Sequence, residues 1–311
     1  MINNILHLKY AVEVERSASI SKAAENLYMG QPHLSKAIRE FEESLGFAIF
    51  NRTSKGVIPT KKGKEFLNHA KKILVQLDEM DALYKPSSDA RQKFDISIPR
   101  ASYISFAFTE FIKELDLDKD MNINYRETNS VQAIKNVADN INNLAIARYQ
   151  VIHERYFLNE LEDRELKHES ILEFEYLALM SNKHPLAENN AIDYSDLLRY
   201  TEIIHGDTSV FGLPIAEARQ IAQADEKKKK IVLYDRGSQL ELLSCVPSTY
   251  MLVSPMLQNV LLGFSLVQKQ CNIPKNKYKD ILVFRRGYHL SNEEALFIQK
   301  LRDTIEKGLK C

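Results

Sequence analysis

Apolar positions in the first 84 residues recur at helical spacing in four runs. Leu6, Tyr10, Ala11 and Val14 share one face of a first helix, Leu6 to Arg16. Ser19 is placed to cap a second helix, Ile20 to Leu27, with Ala23 and Ala24 turned inward. After a short turn, Tyr28-Met29-Gly30, the pair Gln31-Pro32 opens a third helix, because proline suits a first helical position. Leu34, Ala37, Ile38, Phe41 and Leu45 form its apolar stripe, and Gly46 stands where a left-handed terminator belongs. Phe47 to Thr60 holds two short apolar pieces around Ser54-Lys55-Gly56, which predicts a small hairpin. Thr60 can cap a long fourth helix. In it Phe66, Ala70, Ile73, Leu77, Met80 and Tyr84 recur at steps of four and three. That heptad seam fits an amphipathic helix packed on its own domain or a helix paired with another copy; the direct lead into a linker favours pairing. Lys85-Pro86-Ser87-Ser88-Asp89 is that linker.

After residue 90 short β-rich pieces alternate with helical ones, which predicts an α/β fold. The strand candidates are Phe94–Pro99, Asn122–Arg126, Leu144–Ala147, Leu172–Met180, Glu202–His205, Lys230–Tyr234, Met251–Ser254 and Ile281–Phe284. Helices are expected at Ser102–Leu115, Ser130–Asn140, Ile215–Gln223, Gln239–Cys245 and Asn292–Lys307. The length of 311 residues suits two or three domains.

Charge changes the picture locally. The 42 Lys and Arg balance 42 Asp and Glu, so the chain is not basic overall. Residues 1–64 nevertheless carry ten bases against six acids, and within Arg52–Lys72 seven bases face a single acid, Glu65. A basic stretch alone is usually a solvated face. No apolar run reaches the ~18 residues of a membrane span, and Met1 to Tyr10 lacks the pattern of a signal peptide, so a cytoplasmic protein without membrane contact is expected. Cys245, Cys271 and Cys311 are odd in number and widely spaced, which argues against a disulfide framework.

Two helices joined by a tight turn, the second with a polar, basic N-terminal half, form a helix-turn-helix. Its second helix presents its early residues to base edges in the DNA major groove. Here those are Gln31, Pro32, His33, Ser35, Lys36 and Arg39. Gln can pair with adenine and Lys or Arg with guanine, and Pro32 can touch a thymine methyl. Ser21 on the preceding helix, and Arg52 and Lys55 on the hairpin, can reach the backbone.

The full string is more specific than the pattern. Ser19-Ile-Ser-Lys-Ala-Ala-Glu-Asn-Leu27, Gln31-Pro-His-Leu-Ser35, Ile38-Arg-Glu-Phe-Glu-Glu-Ser-Leu-Gly46, Ile49-Phe-Asn-Arg52 and Thr60-Lys-Lys-Gly63 resemble the N-terminal domain of LysR-type transcriptional regulators, from about Leu8 to Ala70. The resemblance implies a multi-domain chain. An all-α winged helix-turn-helix domain (1–60) is followed by a dimerisation helix and hinge (61–90). An α/β effector domain (91–311) of two Rossmann-like subdomains, like the type 2 periplasmic binding proteins, completes it. The expected division is 91–162 with 267–311 against 163–266, the chain crossing near Leu158–Leu166 and Gly263–Val267. His184-Pro-Leu-Ala187 and Phe94-Asp-Ile-Ser-Ile98 resemble motifs of that domain. Pro59, Asn143, Ser248 and Tyr250 depart from the family pattern, the last two where glycines are usual. The implied partners are promoter DNA, a second copy through Phe66, Ala70, Ile73, Leu77, Met80 and Tyr84, a tetramer of such dimers, and RNA polymerase. No cofactor or metal is implied beyond a small co-inducer.

In such a fold the effector sits where strands end and helices begin. Ser102, Thr128, Asn129 and Ser130, with Asp207, occupy such places, although Ser102 and Thr128 also fit plain helix caps. The rival readings are an enzyme and a solute-binding protein of the same α/β class. The chain shows no phosphate loop, no Gly-x-Ser-x-Gly, no Cys-x-x-Cys and no close histidine pair, and the N-terminal string disfavours the solute binder.

Overall fold

The computed structural model describes residues 5–53, 56–84, 92–206, 229–274 and 276–309. The chain divides into two compact units, Met1–Ala90 and Arg91–Cys311. In the first, helices α1 (Ile5–Ser17), α2 (Ile20–Asn26) and α3 (Gln31–Leu45) precede an antiparallel hairpin, β1 (Phe50–Thr53) and β2 (Gly56–Pro59), and the long helix α4 (Lys61–Tyr84). Leu8, Ala11 and Val14 of α1 meet Ala23 and Ala24 of α2 and Leu34, Ile38 and Phe41 of α3, all buried in one core. The two buried alanines, with no side chain beyond the β-carbon, let α2 approach closely.

Three devices fix the hairpin against the helices. Glu42 of α3 accepts from the backbone N–H groups of Ile49 and Phe50 at 2.7 and 2.9 Å. Thr60 N–H donates to the Ile49 carbonyl at 2.8 Å, and the Thr60 hydroxyl accepts from Gly63 N–H at 2.8 Å, capping α4 as expected. Gly63 is required because a β-carbon there would lie 1.9 Å from the Ile49 oxygen.

The start of the expected seam on α4 is corrected. Ala70 is 1% exposed and belongs to the core of its own domain. Phe66 packs edge-on against Phe41 and Phe47, with centroids 5.7 and 5.9 Å apart. A helix this long outlasts the domain it starts on, so its first four turns, as far as Leu74, serve that domain on one side and only its later residues are left over. Ile73 and Met80 are exposed and Leu77 is half-buried. The side chain of Tyr84 lies outside the described residues.

The second unit is built on two sheets. The first begins as β3 (Gln92–Ile98), α5 (Ser102–Glu114), β4 (Met121–Glu127), α6 (Ser130–Ala138) and β5 (Leu144–Gln150), with β4 and β5 both parallel to β3 and on either side of it. Helix α7 (Glu154–Asp163) leads to β6 (Leu166–Glu175), the outer strand of the order β4-β3-β5-β13-β6, where β13 is Lys277–Arg285. Phe94, Ile96, Ile98, Tyr103 and Phe111 pack with Phe297 and Leu301 of the last helix on one face. Ile134, Val137, Phe157 and Leu161 cover the other.

The second sheet has the order β10-β9-β11-β7-β12-β8, with β7 Leu177–Ser181, β8 Ala191–Asp193, β9 Thr201–His205, β10 Lys230–Leu233, β11 Thr249–Val253 and β12 Leu266–Asn272. Helices α8 (Tyr194–Leu197), α9 (Gly237–Cys245) and α10 (Gln258–Gly263) connect its strands, and α11 (Asn292–Gly308) ends the chain. The expected helix at Ile215–Gln223 lies outside the described residues.

Both expected crossings are corrected. Leu158–Leu166 falls in α7 and the start of β6, within the first sheet, and Gly263–Val267 leads into β12, within the second. The chain crosses instead at Tyr176, between β6 and β7, and at residues 273–276, between β12 and β13. The division at 162/163 and 266/267 therefore moves by about a strand at each place, because Leu172–Met180 is two strands belonging to different sheets.

Candidate DNA interface and effector cleft

The stripe of α3 that points inward leaves its other side to solvent. Gln31, Pro32, His33, Lys36 and Arg39 are all exposed, as is Ser21 on α2. Pro32 stands within the first turn of α3, and Gly46 closes the helix with φ +73°. Lys36 pairs with Glu40 at 3.7 Å and Arg39 with Glu43 at 3.2 Å, all four largely exposed. Such pairs hold each other weakly, typically ~0.3–0.5 kcal/mol, so either base is available to a phosphate or a base edge. Arg52 on β1 donates to the Ser35 hydroxyl at 3.2 Å, which ties the wing to the middle of α3. Lys55 lies outside the described residues.

In the second unit the carboxyl ends of β3, β4 and β5 bring Arg100, Ser102, Glu127, Thr128 and Arg148 together. Arg148 forms a two-pronged pair with Asp280 of β13, at 2.8 and 2.7 Å, and donates to the Arg100 carbonyl at 3.0 Å. Its guanidinium lies 4.8 Å from the centre of the Phe174 ring. Asp280 is fully buried and also accepts from the Tyr103 hydroxyl. Burial works against the Arg148 charge, yet the Asp280 carboxylate beside it holds its pKa well above the ordinary value. Burial, then Asp280, pushes the Tyr103 hydroxyl well up, so it stays a donor.

Residues 5–64 match the family described as "Bacterial regulatory helix-turn-helix protein, lysR family". Residues 5–64 thus carry a helix-turn-helix domain similar to that of the LysR family. Among LysR-like relatives it is 26% identical over 198 residues to YnfL of Escherichia coli (strain K12), described as an uncharacterized HTH-type transcriptional regulator. That match spans 62% of this chain and 62% of YnfL, less than two thirds of its length. It is 39% identical over 79 residues to the HTH-type transcriptional regulator BenM of Acinetobacter baylyi, 25% of this chain and 26% of BenM. The fold is that of full-length LysR-type chains. A full-length OxyR variant from Pseudomonas aeruginosa superposes with a TM-score of 0.64 at 14% identity, covering 98% of this chain and 95% of that one. Full-length CbnR, solved with its target DNA, gives 0.55 at 14% identity, covering 97% and 99%. No described helix is long and apolar enough to cross a membrane.

Against the LysR-based expectation, the effector residues have unequal standing. The Ser102 hydroxyl is buried and has no partner; Ala101, not Ser102, is the N-cap of α5. Asn129 caps α6, its Oδ1 accepting from Gln132 N–H at 2.9 Å. Ser130 acts as a brace: its hydroxyl donates to the Arg148 carbonyl and accepts from Arg148 N–H at 2.9 Å, which commits its one proton. Thr128 is half-buried and donates its N–H to the Ile98 carbonyl at 2.8 Å. Asp207 lies outside the described residues. Tyr250, where the LysR pattern has glycine, is 1% exposed and spent on a core with Met180, Ile192 and Leu197. Asn143 accepts from Arg285 at 3.1 Å.

Sequence reasoning missed Arg148, Asp280 and Tyr103. A signal existed: Arg148 and Asp280 are lone opposite charges at the ends of the apolar runs Leu144–Ala147 and Ile281–Phe284, which calls for a mutual partner.

Proposed function

We propose that this chain is a sequence-specific DNA-binding regulator of transcription of LysR type, whose second unit answers to a small molecule. The observation that carries the reading is the LysR-family domain at residues 5–64 with its polar α3 face exposed and its wing tied to Ser35 through Arg52. Gln31, Pro32, His33, Ser35, Lys36 and Arg39 read base edges, while Ser21, Arg52 and Lys55 hold the backbone. The protein works in the cytoplasm on promoter DNA, as a dimer through the later part of α4 and as a tetramer of such dimers, and it acts on RNA polymerase. It is not an enzyme and carries no cofactor or metal; a small co-inducer in the cleft beside Ser102 and Thr128 shifts the arrangement of subunits and hence the path of the DNA.

The test is genome-wide capture of DNA bound to the tagged protein, followed by band shifts on the recovered site. Lys36→Ala or Arg39→Ala weakens binding to that site by about 1–3 kcal/mol where the side chain contacts a base. Arg52→Ala weakens binding to all sequences alike and flattens the salt dependence, as a phosphate contact does. Capture no greater than that of an untagged control, or variants that bind as the parent does, overturns the reading.

A further inference from the structure

The exposed side of α3 carries acids as well as bases. Pro32, Lys36, Arg39 and Glu43 follow one another at steps of four, three and four, so they form a single row along the helix. That row lies opposite the buried residues Leu34, Ile38 and Phe41, on the side that meets DNA if α3 reads bases. Glu43 belongs to it as fully as Arg39 does, their side chains being 64% and 74% exposed. A carboxylate on such a face is repelled by the phosphates of every DNA sequence alike.

Helix stability does not account for it. The base precedes the acid, which is the weaker order for a pair four residues apart. Glu43 stands in the last turn of α3, where the helix dipole disfavours negative charge. The hairpin does not need it either, because the neighbouring Glu42 takes the N–H groups of Ile49 and Phe50. Glu43 instead meets Arg39, its Oε1 lying 3.2 Å from Arg39 Nε. Among the described residues no hydrogen bond engages the two terminal nitrogens of Arg39, Nη1 and Nη2. Those two can make the forked contact with the O6 and N7 acceptors of a guanine. Lys36 and Glu40 differ. Their contact is 3.7 Å long, and an ammonium is a compact charge with three rotating donors, which a carboxylate orients little.

We infer that Glu43 is the positioning residue for Arg39 and sets its preference for guanine. This inference rests on the reading of α3 as the helix that reads base edges. Arg39 does not have to leave Glu43 to meet a guanine: Nε faces the acid while the fork of Nη1 and Nη2 faces the base. Holding the guanidinium from its inner side removes rotamer freedom before DNA arrives, which favours a contact that needs one fixed orientation. A phosphate asks only for charge and gains nothing from that orientation, and it meets the Glu43 carboxylate as a like charge. One side chain thus strengthens the contact with the right base and weakens binding elsewhere, and specificity is the difference between the two.

The test is selection of binding sites from a pool of random DNA duplexes by the full chain and its variants. Affinity for poly(dA-dT), which has no guanine, measures non-specific binding. Arg39→Ala marks the position that Arg39 reads, as the one where preference for guanine is lost. At that position Glu43→Gln lowers the preference roughly two- to tenfold, the cost of ordering one long side chain on binding, and it raises affinity for poly(dA-dT). Helical circular dichroism stays as in the parent, because only the Glu43 carbonyl, which accepts from Gly46 N–H, serves the helix end. Glu43→Asp, which keeps a carboxylate near Arg39, restores most of the preference. Glu40→Gln removes the same charge from the same face; it raises poly(dA-dT) affinity and leaves the guanine preference as in the parent. Glu43→Gln combined with Arg39→Ala selects as Arg39→Ala alone does. The inference is overturned if Arg39→Ala or Glu43→Gln selects like the parent, if Glu40→Gln loses the preference equally, or if Glu43→Gln changes selection further in the Arg39→Ala chain. Each of those results leaves the regulator reading standing. A parent that enriches no sequence sinks that reading, and the inference with it.

Discussion

Tyr176 and Asn276 hold each other at the two places where the chain passes between the sheets. Tyr176 N–H donates to Asn276 Oδ1 at 3.2 Å, and Asn276 Nδ2 donates back to the Tyr176 carbonyl at 2.8 Å. The Tyr176 ring stacks on Tyr278 with centroids 4.0 Å apart. The hinge is thus a reciprocal amide clasp beside a stacked aromatic pair. Asn276→Ala strips both partners from a sheltered peptide group and is expected to cost about 1–3 kcal/mol. Urea unfolding of the full chain reads it through tyrosine emission, as there is no tryptophan. An unchanged midpoint in the alanine variant would mean that the clasp carries no stability.

Behind the hinge, Arg148 and Asp280 form a pair whose side chains are 9% and 0% exposed. Breaking it leaves one buried charge alone. Asp280→Asn is expected to cost about 3–5 kcal/mol, whereas Arg148→Met with Asp280→Leu costs less, about the 1–3 kcal/mol of stranding the buried Tyr103 hydroxyl, since the hydrophobic pair has no charge to desolvate. Comparison of the three unfolding midpoints decides it; equal losses in both variants would contradict the argument.

How far such features were legible beforehand depended on range. The helices of the first unit follow from local signals: Ser19 accepts from Lys22 N–H at 3.4 Å as a cap, Gly46 takes the left-handed conformation, and Thr60 caps α4. The helix starts at Ser102, Ser130 and Asn292 were likewise visible in their local periodicity. Partnership was not. Nothing near Leu172–Met180 marks Tyr176 as the point where the chain leaves one sheet for another; that depends on Asn276, a hundred residues on. β12 was missed because Leu266–Asn272 carries the polar run Gln268-Lys269-Gln270, which breaks any apolar alternation. Arg236 reads as an ordinary loop base until the other sheet supplies Glu127.

His184 gives a pH prediction of definite sign. It is 3% exposed, its Nδ1 accepts from Leu186 N–H at 3.0 Å, and its ring faces Tyr200 at 4.4 Å. Burial lowers its pKa below the ordinary 6.5. The unfolded chain therefore binds the proton more readily than the folded one. The stability from the neutral ring is full above pH 6.5 and falls away between 6.5 and the lower native value. His184→Asn offers the same acceptor without titrating. The difference in urea midpoint between pH 7.5 and pH 5.5 should shrink in that variant; an unaltered difference would show that other groups carry the acid sensitivity.

An uncovered apolar row runs along the later part of α4. Leu67 and Ala70 face the domain core, and Leu74 packs against it, so that side of the helix is already committed. Ile73 is 40% and Met80 51% exposed, with Leu77 half-buried between them, a row at steps of four and three that its own domain leaves uncovered. An apolar row of this spacing is satisfied by the same row of a second copy across a two-fold axis, which also matches a pseudo-palindromic DNA site. Ile73→Asp with Leu77→Asp puts two negative charges into that contact. Because neither residue belongs to the buried core, the domain should fold and its helical circular dichroism should stay as in the parent. Sedimentation should report a lower oligomer, and affinity for a two-half-site operator should fall far more than affinity for a half-site. Ala70→Asp is the contrasting variant: it strikes the domain core itself and should unfold the DNA-binding unit. A double variant that sediments as the parent does would leave Ile73 and Leu77 as ordinary surface residues and place the contact between copies elsewhere on the chain.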